Sequence, residues 1–378
     1  MEARVEELIE GHQLMECIQC GMCTGGCPMS IKVGLNPRRV MRETCIFHKV
    51  PIPPEEQLWG CTTCATCEIR CPKELSPVNF LISLRGMLVE EGRVPPTLRD
   101  ALESVYVHGN PWGRGREKRM EWAEGLSIRH VSELEGEKLL YFVGCTPSYD
   151  ARAQQVARSI VQILNAANVD FGVLGKEEKC CGNEVYGMGE MGLFEELAEE
   201  NTKLFQKYGV DAILTTCPHG YNAFKNKYED LNIPVQHHTQ LLSELIDGGK
   251  LRLDGRVEAV VTYHDPCFLG KRNGVFEEPR KVIESIPGVK FVELDRNRSR
   301  SLCCEGGGGR MWFDVPGRRL AELRVEEAVD VGAEVLAVAC PFCLSTLEDA
   351  VKTTGYEEKL RVMDVAELVA QALRISSA

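Results

Sequence analysis

The sequence lacks several features that would fix a broad class of protein at once. It contains no uninterrupted apolar run of the ~18 residues that a membrane-spanning helix requires, so we expect no direct membrane span. Basic residues are not in excess: the formal net charge is −12, which argues against nucleic acid as a partner. Residues 1–7 are charged and offer no apolar export signal. We therefore expect a cytoplasmic location, with membrane association only through a partner.

Nucleotide-binding signatures are also missing. The glycine run at residues 306–309 departs from G-x-G-x-x-G because Met311 stands at the last position, and no G-x-x-x-x-G-K-[ST] occurs. The sequence thus provides no site for a flavin or a nicotinamide. Hydride chemistry is expected in a partner, while this chain handles single electrons.

Cysteine, by contrast, is abundant. The chain has 18 cysteines in 378 residues, a share below that of a disulfide scaffold. Without export, disulfides are not expected, and paired cysteines indicate metal sites.

Two runs near the N-terminus, at residues 17–28 and 61–72, share the spacing C-x2-C-x2-C-x3-C-P. In this spacing three thiolates of one run hold a cubane [4Fe–4S] cluster, and the fourth reaches the other cluster. Two ligand quartets are therefore predicted: Cys17, Cys20, Cys23 with Cys71, and Cys61, Cys64, Cys67 with Cys27. A zinc ribbon is the alternative, but it would need only four of these eight thiols.

The surroundings of these runs are helical. Asn36 is predicted to cap a helix that begins at Pro37, and a second helix begins after Ser76. Residues 1–106 are therefore predicted to form an α-helical ferredoxin domain with two clusters, followed by a connector at 107–137. Cys45 lies outside both runs and is predicted not to be a ligand.

The rest of the chain is one pattern that occurs twice, over residues 138–250 and 251–378. Cys145, Cys180 and Cys217 recur 122, 123 and 123 residues later, which indicates an internal duplication. Each copy alternates strands with helices, so each is predicted to be an α/β domain with a parallel sheet. The predicted strands are 139–143, 169–174, 211–215 and 234–236, then 257–263, 289–294, 335–339 and 360–363.

Each cysteine element follows a predicted strand, so the thiols of one copy should meet at the carboxyl edge of its sheet. The second copy gathers five, more than one zinc ion or one cubane needs: Cys267, Cys303, Cys304, Cys340 and Cys343. Backbone N–H groups of Gly306 and Gly307 are candidate contacts to a cofactor. The first copy offers four, Cys145, Cys180, Cys181 and Cys217, because Gly220 stands where the fifth would be. It would hold a four-ligand cluster or zinc, or recruit His219.

These motifs resemble those of the CCG-domain family of iron–sulfur oxidoreductases. The whole chain is similar to the component of CoB–CoM heterodisulfide reductases in which a ferredoxin part and a CCG part are fused. The resemblance implies two tandem CCG domains after the ferredoxin domain. It also implies a noncubane [4Fe–4S] cluster on the five thiols of the second copy, where a disulfide is cleaved. Glu305 departs from the family's Cys-Cys-Gly and places a carboxylate beside this cluster.

Three hypotheses follow. In the first, two cubanes deliver electrons to the noncubane cluster, which reduces a low-molecular-weight disulfide to thiols; His264 is a candidate proton donor, with Tyr263 and Asp265 beside it. In the second, the chain carries electrons between a flavoprotein and a cytochrome b-like membrane subunit that reacts with quinone. In the third, the cysteines form a zinc scaffold, and the purified protein would be colourless.

Overall fold

A computed structural model describes residues 2–48 and 55–373. The N-terminal module is helical, as predicted. The Asn36 side chain accepts a hydrogen bond of 2.9 Å from the backbone of Arg39, and Ser76 caps the helix that starts at Pro77 in the same way. The helices of this module are Glu2–Gly11, Met22–Gly26, Pro28–Val33, Pro37–Phe47, Glu55–Trp59, Thr66–Ile69, Pro77–Glu90 and Pro96–His108, with a 3-10 turn at Leu14–Glu16.

The connector that follows contains two 3-10 turns, Arg116–Ala123 and Val131–Glu133. None of the helices in the described residues combines the length and the apolar character needed to cross a membrane.

The first repeat contains a parallel sheet in the order β1 (Leu139–Phe142), β2 (Ala212–Thr215), β3 (Val235–His237). Its helices are Cys145–Tyr149, Ala151–Ala166, Asn183–Gly187, Met191–Tyr208, Pro218–Asn226 and His238–Asp247, with a 3-10 turn at Gly175–Glu177.

The strand predicted at 169–174 is wrong in extent. Gly172 forms one bridge to Leu140, and Val173 forms another to His130 of the connector. A Cβ on Gly172 would lie 2.6 Å from the Val131 Cα, so the connector itself occupies this edge. The segment divides its backbone hydrogen bonds between two neighbours and builds no continuous ladder with either.

The second repeat has a four-stranded parallel sheet in the order β5 (Val289–Phe291), β4 (Ala259–Tyr263), β6 (Val335–Val338), β7 (Arg361–Asp364). Its helices are Gly270–Asn273, Glu277–Glu284, Leu320–Asp330, Pro341–Thr354 and Val365–Ala372, with a 3-10 turn at Arg298–Arg300. The helix that begins at Leu320 is capped by Glu322, whose side chain accepts the backbone N–H of Arg319.

The two repeats share one apolar core. Buried side chains from both sheets belong to it, among them Leu214 and Val335. On its rim, Arg152 of the first repeat donates to both carboxylate oxygens of Glu367 in the second, at 2.6 and 2.8 Å. The repeats are therefore packed as one unit, and cysteine-bearing loops of both face the same region.

Candidate metal centres

The eight thiols of the N-terminal module surround two small cavities. One is lined by Cys17, Cys20, Cys23 and Cys71. The other is lined by Cys27, Cys61, Cys64 and Cys67. We call these the first and second ferredoxin quartets. In each, the fourth thiol comes from the other run, which is the exchange that the spacing predicts; that the thiols bind clusters stays a prediction. Cys45 lines neither cavity.

The two quartets differ in exposure. Cys20 of the first is exposed, whereas Cys61, Cys64 and Cys67 of the second are buried. Burial raises the pKa of Cys27 to about 12. Buried thiols of raised pKa become thiolates when a cation replaces their protons, and a coordinating metal is such a cation. The donor set of each quartet suits a four-iron cluster.

The second repeat gathers its five thiols beyond the carboxyl ends of β4 and β6, and all five are buried. Cys304 and Cys343 lie 3.3 Å apart, Sγ to Sγ. Cys303 lies near enough to Cys267 and Cys304 for these thiols to raise its pKa, and Cys343 in the same way lowers the pKa of Cys340. We call this continuous group the second-repeat site. It brings together every thiol that the sequence assigned to it.

The thiols of this site share protons unequally. Burial raises the pKa of Cys340, but hydrogen bonds from Cys343 and His219 outweigh it and lower that pKa to about 6. The pKa of Cys304 is also lowered, first by Cys303 and then by Cys343 and His264. The pKa of Cys303 is raised, first by Cys267. Such a group favours partial thiolate character, which is the form that binds metal.

His264 lies inside the second-repeat site. One of its ring nitrogens, Cys304 and Cys343 place their ligating atoms within 4.8 Å of one another. Nδ1 accepts a hydrogen bond of 3.2 Å from the Arg324 guanidinium, so Nε2 carries the ring proton and faces the Cys304 thiol. Asp265 instead pairs with Arg280, at 2.8 and 2.9 Å, so its carboxylate holds the loop after β4.

Glu305 has a left-handed backbone, with φ of 73°, at the position where the first repeat has Gly182, with φ of 77°. Its buried carboxylate accepts from Lys32 at 2.5 Å, from Arg310 at 2.8 Å and from the backbone of Leu320 at 2.7 Å. These three contacts stabilise a conformation that glycine would adopt without strain.

The glycine run after Glu305 packs against the N-terminal module. A Cβ on Gly307 would lie 2.9 Å from the Thr62 carbonyl oxygen, and one on Gly308 would lie 2.6 Å from that of Cys61. Close approach of two backbones is therefore a sufficient reason for glycine here. The contact of Gly306 and Gly307 with a cofactor stays a prediction.

The first repeat places its four thiols around another cavity, the first-repeat site, which also has His219 and Gly220 in its wall. Its thiols lie close enough to shift one another's pKa: Cys180 raises the pKa of Cys145, and Cys181 raises that of Cys180. His219 is committed elsewhere: Nδ1 lies 2.7 Å from the Glu184 carboxylate, and the ring hydrogen-bonds Cys340 of the second repeat. This geometry disfavours recruitment of His219 by the first-repeat site.

The second ferredoxin quartet touches the second-repeat site directly. The Cys303 thiol is the largest cause of the lowered pKa of Cys64, so the two thiols are neighbours across the boundary between the N-terminal module and the repeat. Lys271 donates to the Thr66 hydroxyl at 2.8 Å. Because His219 links Cys340 to the wall of the first-repeat site, the four sites form a series with the second-repeat site between two neighbours.

Several residues of this region were not found from the sequence. Arg85 lies buried between the N-terminal module and both repeats; its only sequence signal is a lone arginine within an otherwise apolar stretch of helix Pro77–Glu90. The pairs Arg119–Glu178 and Arg280–Asp265 join residues distant in sequence and leave no local pattern.

Family models match most of these regions. Residues 139–225 and 261–348 each match the CCG cysteine-rich domain, and residues 16–76 match a 4Fe-4S dicluster domain. One component of the dihydromethanophenazine:CoB–CoM heterodisulfide reductase of Methanosarcina barkeri is 33% identical over 402 residues, covering 97% of this chain and 96% of that protein. The chain belongs to the CCG-domain iron–sulfur oxidoreductase family.

Other members of this family are longer. The probable iron-sulfur-binding oxidoreductase FadF of Bacillus subtilis is 40% identical over 330 residues, which cover 84% of this chain and 47% of that protein. The EtfAB:quinone oxidoreductase of Syntrophomonas wolfei is 32% identical, over 95% of this chain and 58% of that protein. The chain thus spans about half the length of these two relatives.

Proposed function

We propose that this CCG-domain oxidoreductase passes single electrons through two [4Fe–4S] clusters, held by the ferredoxin quartets, to a noncubane [4Fe–4S] cluster held by the second-repeat site, where a disulfide is reduced. The overall change would be one disulfide plus two electrons and two protons to two thiols. The clusters would supply the electron storage and an iron that accepts sulfur.

The contact between Cys64 and Cys303 carries this proposal. A ligand of the last ferredoxin cluster and a ligand of the next cluster would be direct neighbours, so electrons would cross the module boundary without any movement of the chain. The exposed Cys20 at the other end of the series gives an entry point for electrons from a partner.

A cavity beside the second-repeat site supports the hypothesis that the chain reduces a disulfide itself. A cavity of about 230 Å³ reaches Cys304 and is bordered by charged side chains, including Arg310, Arg319 and Asp349. It would admit a small polar disulfide to one side of the cluster.

Two residues next to the five thiols, His264 and Asp265, would support the ligands of the proposed cluster. The Nε2 proton of His264 faces Cys304, and Arg324 fixes this tautomer by donating to Nδ1. His264 would therefore donate a hydrogen bond to the Cys304 sulfur, a ligand of the proposed cluster. It does not line the cavity that reaches Cys304, so its role as proton donor to a substrate stays a prediction. Asp265, fixed by Arg280, would position the loop that carries Cys267.

The alternative function is electron transfer without disulfide chemistry, from a flavoprotein dehydrogenase or an electron-transferring flavoprotein to a membrane partner that reacts with quinone. The similarity to FadF and to the EtfAB:quinone oxidoreductase favours it. In that case the first-repeat site, which would hold a further cluster or zinc, lies at the far end of the series.

One assay distinguishes the two proposed functions. The protein, purified without oxygen, would be given reduced viologen and a panel of low-molecular-weight disulfides, with the Cys45→Ala variant as matched control. Disulfide reduction predicts two viologens oxidised per disulfide, equally in both proteins. Absence of turnover with every disulfide, together with rapid reduction of the chain by a reduced flavoprotein, would instead establish the carrier.

A further inference from the structure

Arg85 differs from every other buried arginine in the described residues. The described residues include five buried arginines, and the four besides Arg85 each have a carboxylate partner. These pairs are Arg119 with Glu178, Arg280 with Asp265, Arg310 with Glu305, and Arg324 with Glu327. Arg85 is fully buried, and among the described residues no carboxylate forms an ion pair with it. A buried cation without a counter-charge is costly, so a negative charge nearby is expected.

The guanidinium is held by backbone carbonyls alone. It donates to Leu58 at 2.8 Å, to Trp59 at 3.3 Å and to Cys61 at 2.7 Å, all in the N-terminal module. It also donates to Gly187 of the first repeat at 2.6 Å and to Gly308 of the second at 3.1 Å. One side chain thus joins three parts of the molecule.

Close packing around Arg85 holds its side chain in place. A Cβ on Gly189 of the first repeat would lie 2.5 Å from the Gly86 nitrogen, so helix Pro77–Glu90 meets this loop backbone to backbone. The guanidinium also lies over the Trp59 ring, 5.2 Å from its centroid. The charge is therefore fixed beside the loop that carries Cys61.

Two acidic groups act on Arg85 through space. Burial lowers the pKa of Arg85, and the charges of Cys61 and then Glu184 partly offset that loss. Glu184 is already paired with His219, at 2.7 Å. The second ferredoxin quartet, to which Cys61 belongs, is therefore the main source of negative charge for Arg85. Arg272 also acts on Cys61 and Lys271 on Cys64, but Arg85 is the cation with the largest effect on the pKa of Cys61.

The charge of Arg85 acts in turn on Cys61. Burial raises the pKa of the Cys61 thiol, and the charge of Arg85 partly offsets that rise. Four thiolates around an iron–sulfur cluster carry net negative charge, and this charge increases when the cluster is reduced. An arginine keeps its charge at every relevant pH, so its effect does not depend on titration.

We infer that Arg85 is a positioning residue that supplies the counter-charge of the second ferredoxin quartet, favours the reduced state of its cluster, and locks the Cys61 loop against both repeats. The inference rests on the proposed cluster at this quartet. It assigns to Arg85 a redox role beyond its role in packing, since a fixed positive charge stabilises the more negative oxidation state.

The test is a redox titration followed by electron paramagnetic resonance (EPR) on wild type, Arg85→Gln and Arg85→Lys. Each signal of the N-terminal module is first assigned by its loss in Cys20→Ala or Cys67→Ala. Arg85→Gln keeps hydrogen-bond donors without charge and should move the midpoint potential of the second-quartet signal to a more negative value. Arg85→Lys keeps the charge and should retain most of the wild-type potential, although both variants lose part of the carbonyl contacts.

Arg38→Gln is the matched control, because Arg38 lines the first quartet but is exposed to solvent, which screens its charge. It should leave both potentials nearly unchanged. An unchanged potential in Arg85→Gln, or equal shifts in the Gln and Lys variants, would overturn the inference. If Arg85→Gln loses iron, Arg85→Lys decides alone: a clearly lowered potential there contradicts the role of charge. A wild type without a Cys67-dependent signal would contradict the proposed cluster itself, and with it the inference.

Discussion

The two repeats share a scaffold but not a site. Both hold the loop after their first strand with a buried acid–arginine pair, Glu178 with Arg119 in one and Asp265 with Arg280 in the other. Their thiols differ. The first-repeat site has four, of which only Cys180 is buried, whereas the second-repeat site has five, all of them buried. The duplication therefore preserved the architecture while the number and burial of the thiols diverged.

Matching positions show how this divergence works. Burial raises the pKa of Cys217 to about 12, whereas the pKa of its counterpart Cys340 is lowered to about 6 despite burial. The difference comes from hydrogen-bond donors that Cys340 receives and Cys217 does not: Cys343, which is Gly220 in the first repeat, and His219, whose ring hydrogen-bonds Cys340 and acts on Cys217 only through its charge. One substitution and the hydrogen bond from His219 thus account for the different pKa values of two thiols at matching positions.

The largest expected effect is the loss of the fifth thiol. Cys343→Ala would give the second repeat the donor set of the first. We expect disulfide reduction to fall by about 100-fold or more, because losing a ligand is worse than losing a group that only supports one. The assay with reduced viologen measures this, and EPR should show that the signal of the second-repeat cluster is lost while those of the ferredoxin quartets remain.

The matched change in the other copy is Cys217→Ala, which we expect to lower activity far less. Equal losses in both variants would mean that the two sites act as one catalytic unit and would remove the asymmetry described above.

The converse change adds a thiol to the first repeat. A Cβ on Gly220 would meet Thr215 Oγ1 at 3.5 Å and the Cys181 Cβ at 3.9 Å, which are ordinary contacts, so the Cβ of Gly220→Cys fits without strain. We expect it to complete a five-thiol site and to raise the iron content by up to about four atoms per chain. Iron and sulfide analysis of anaerobically purified protein measures the change.

Gly220→Ala controls for the added Cβ and should leave the iron content at the wild-type value. If Gly220→Cys also leaves it unchanged, the lack of a fifth thiol does not explain the difference between the sites.

A smaller effect is expected at Glu305, where Glu305→Gly restores the glycine of the first repeat. Relief of the left-handed backbone should gain about 1 kcal/mol. Leaving Lys32 and Arg310 without their carboxylate should cost about 3–5 kcal/mol. The net result is a lower free energy of unfolding, measured by denaturant titration under anaerobic conditions.

The double variant Glu305→Gly with Lys32→Met tests this account. It should lose less stability than the sum of the single losses, because the second change removes a cation that the first leaves unpaired. Strict additivity would show that Lys32 and Glu305 do not stabilise each other.

The smallest effect concerns pH. A thiol with a pKa of about 6 is largely thiolate near neutrality, whereas one with a pKa of about 12 must lose its proton to the incoming metal. When iron-free protein is reconstituted, the second-repeat site should therefore fill at lower pH than the first. Iron uptake at about pH 6.5 should fall in Cys340→Ala more than in Cys217→Ala. Equal losses at that pH would contradict the difference in pKa.

The sequence was informative where local spacing or strand order determines position. The spacing of each run anticipated which thiols of the N-terminal module lie together, and the rule that parallel strands end at one edge anticipated the grouping of Cys267, Cys303 and Cys340. That these groups bind clusters stays a prediction. The repeat offsets anticipated the duplication, and the family models match both copies.

Contacts between modules could not be predicted from the sequence. Nothing near Arg85 in the sequence indicates that its partners lie at Cys61, Gly187 and Gly308, since these meet only after three modules dock. The short extent of the segment near Gly172 has the same cause, because the connector competes for its backbone groups. The glycine run was interpreted through the cofactor alone, whereas its close approach to the Cys61 loop already requires small residues.

The contact between Cys64 and Cys303 also constrains biosynthesis. Residues on both sides of this boundary bury one another, and Gly308 lies so close to the Cys61 carbonyl that a methyl group would not fit between them. A maturation factor would reach these thiols only while the helical module and the repeats are apart. For the proposed clusters, iron uptake by iron-free protein and iron removal by a chelator would then both be limited by how fast the modules separate.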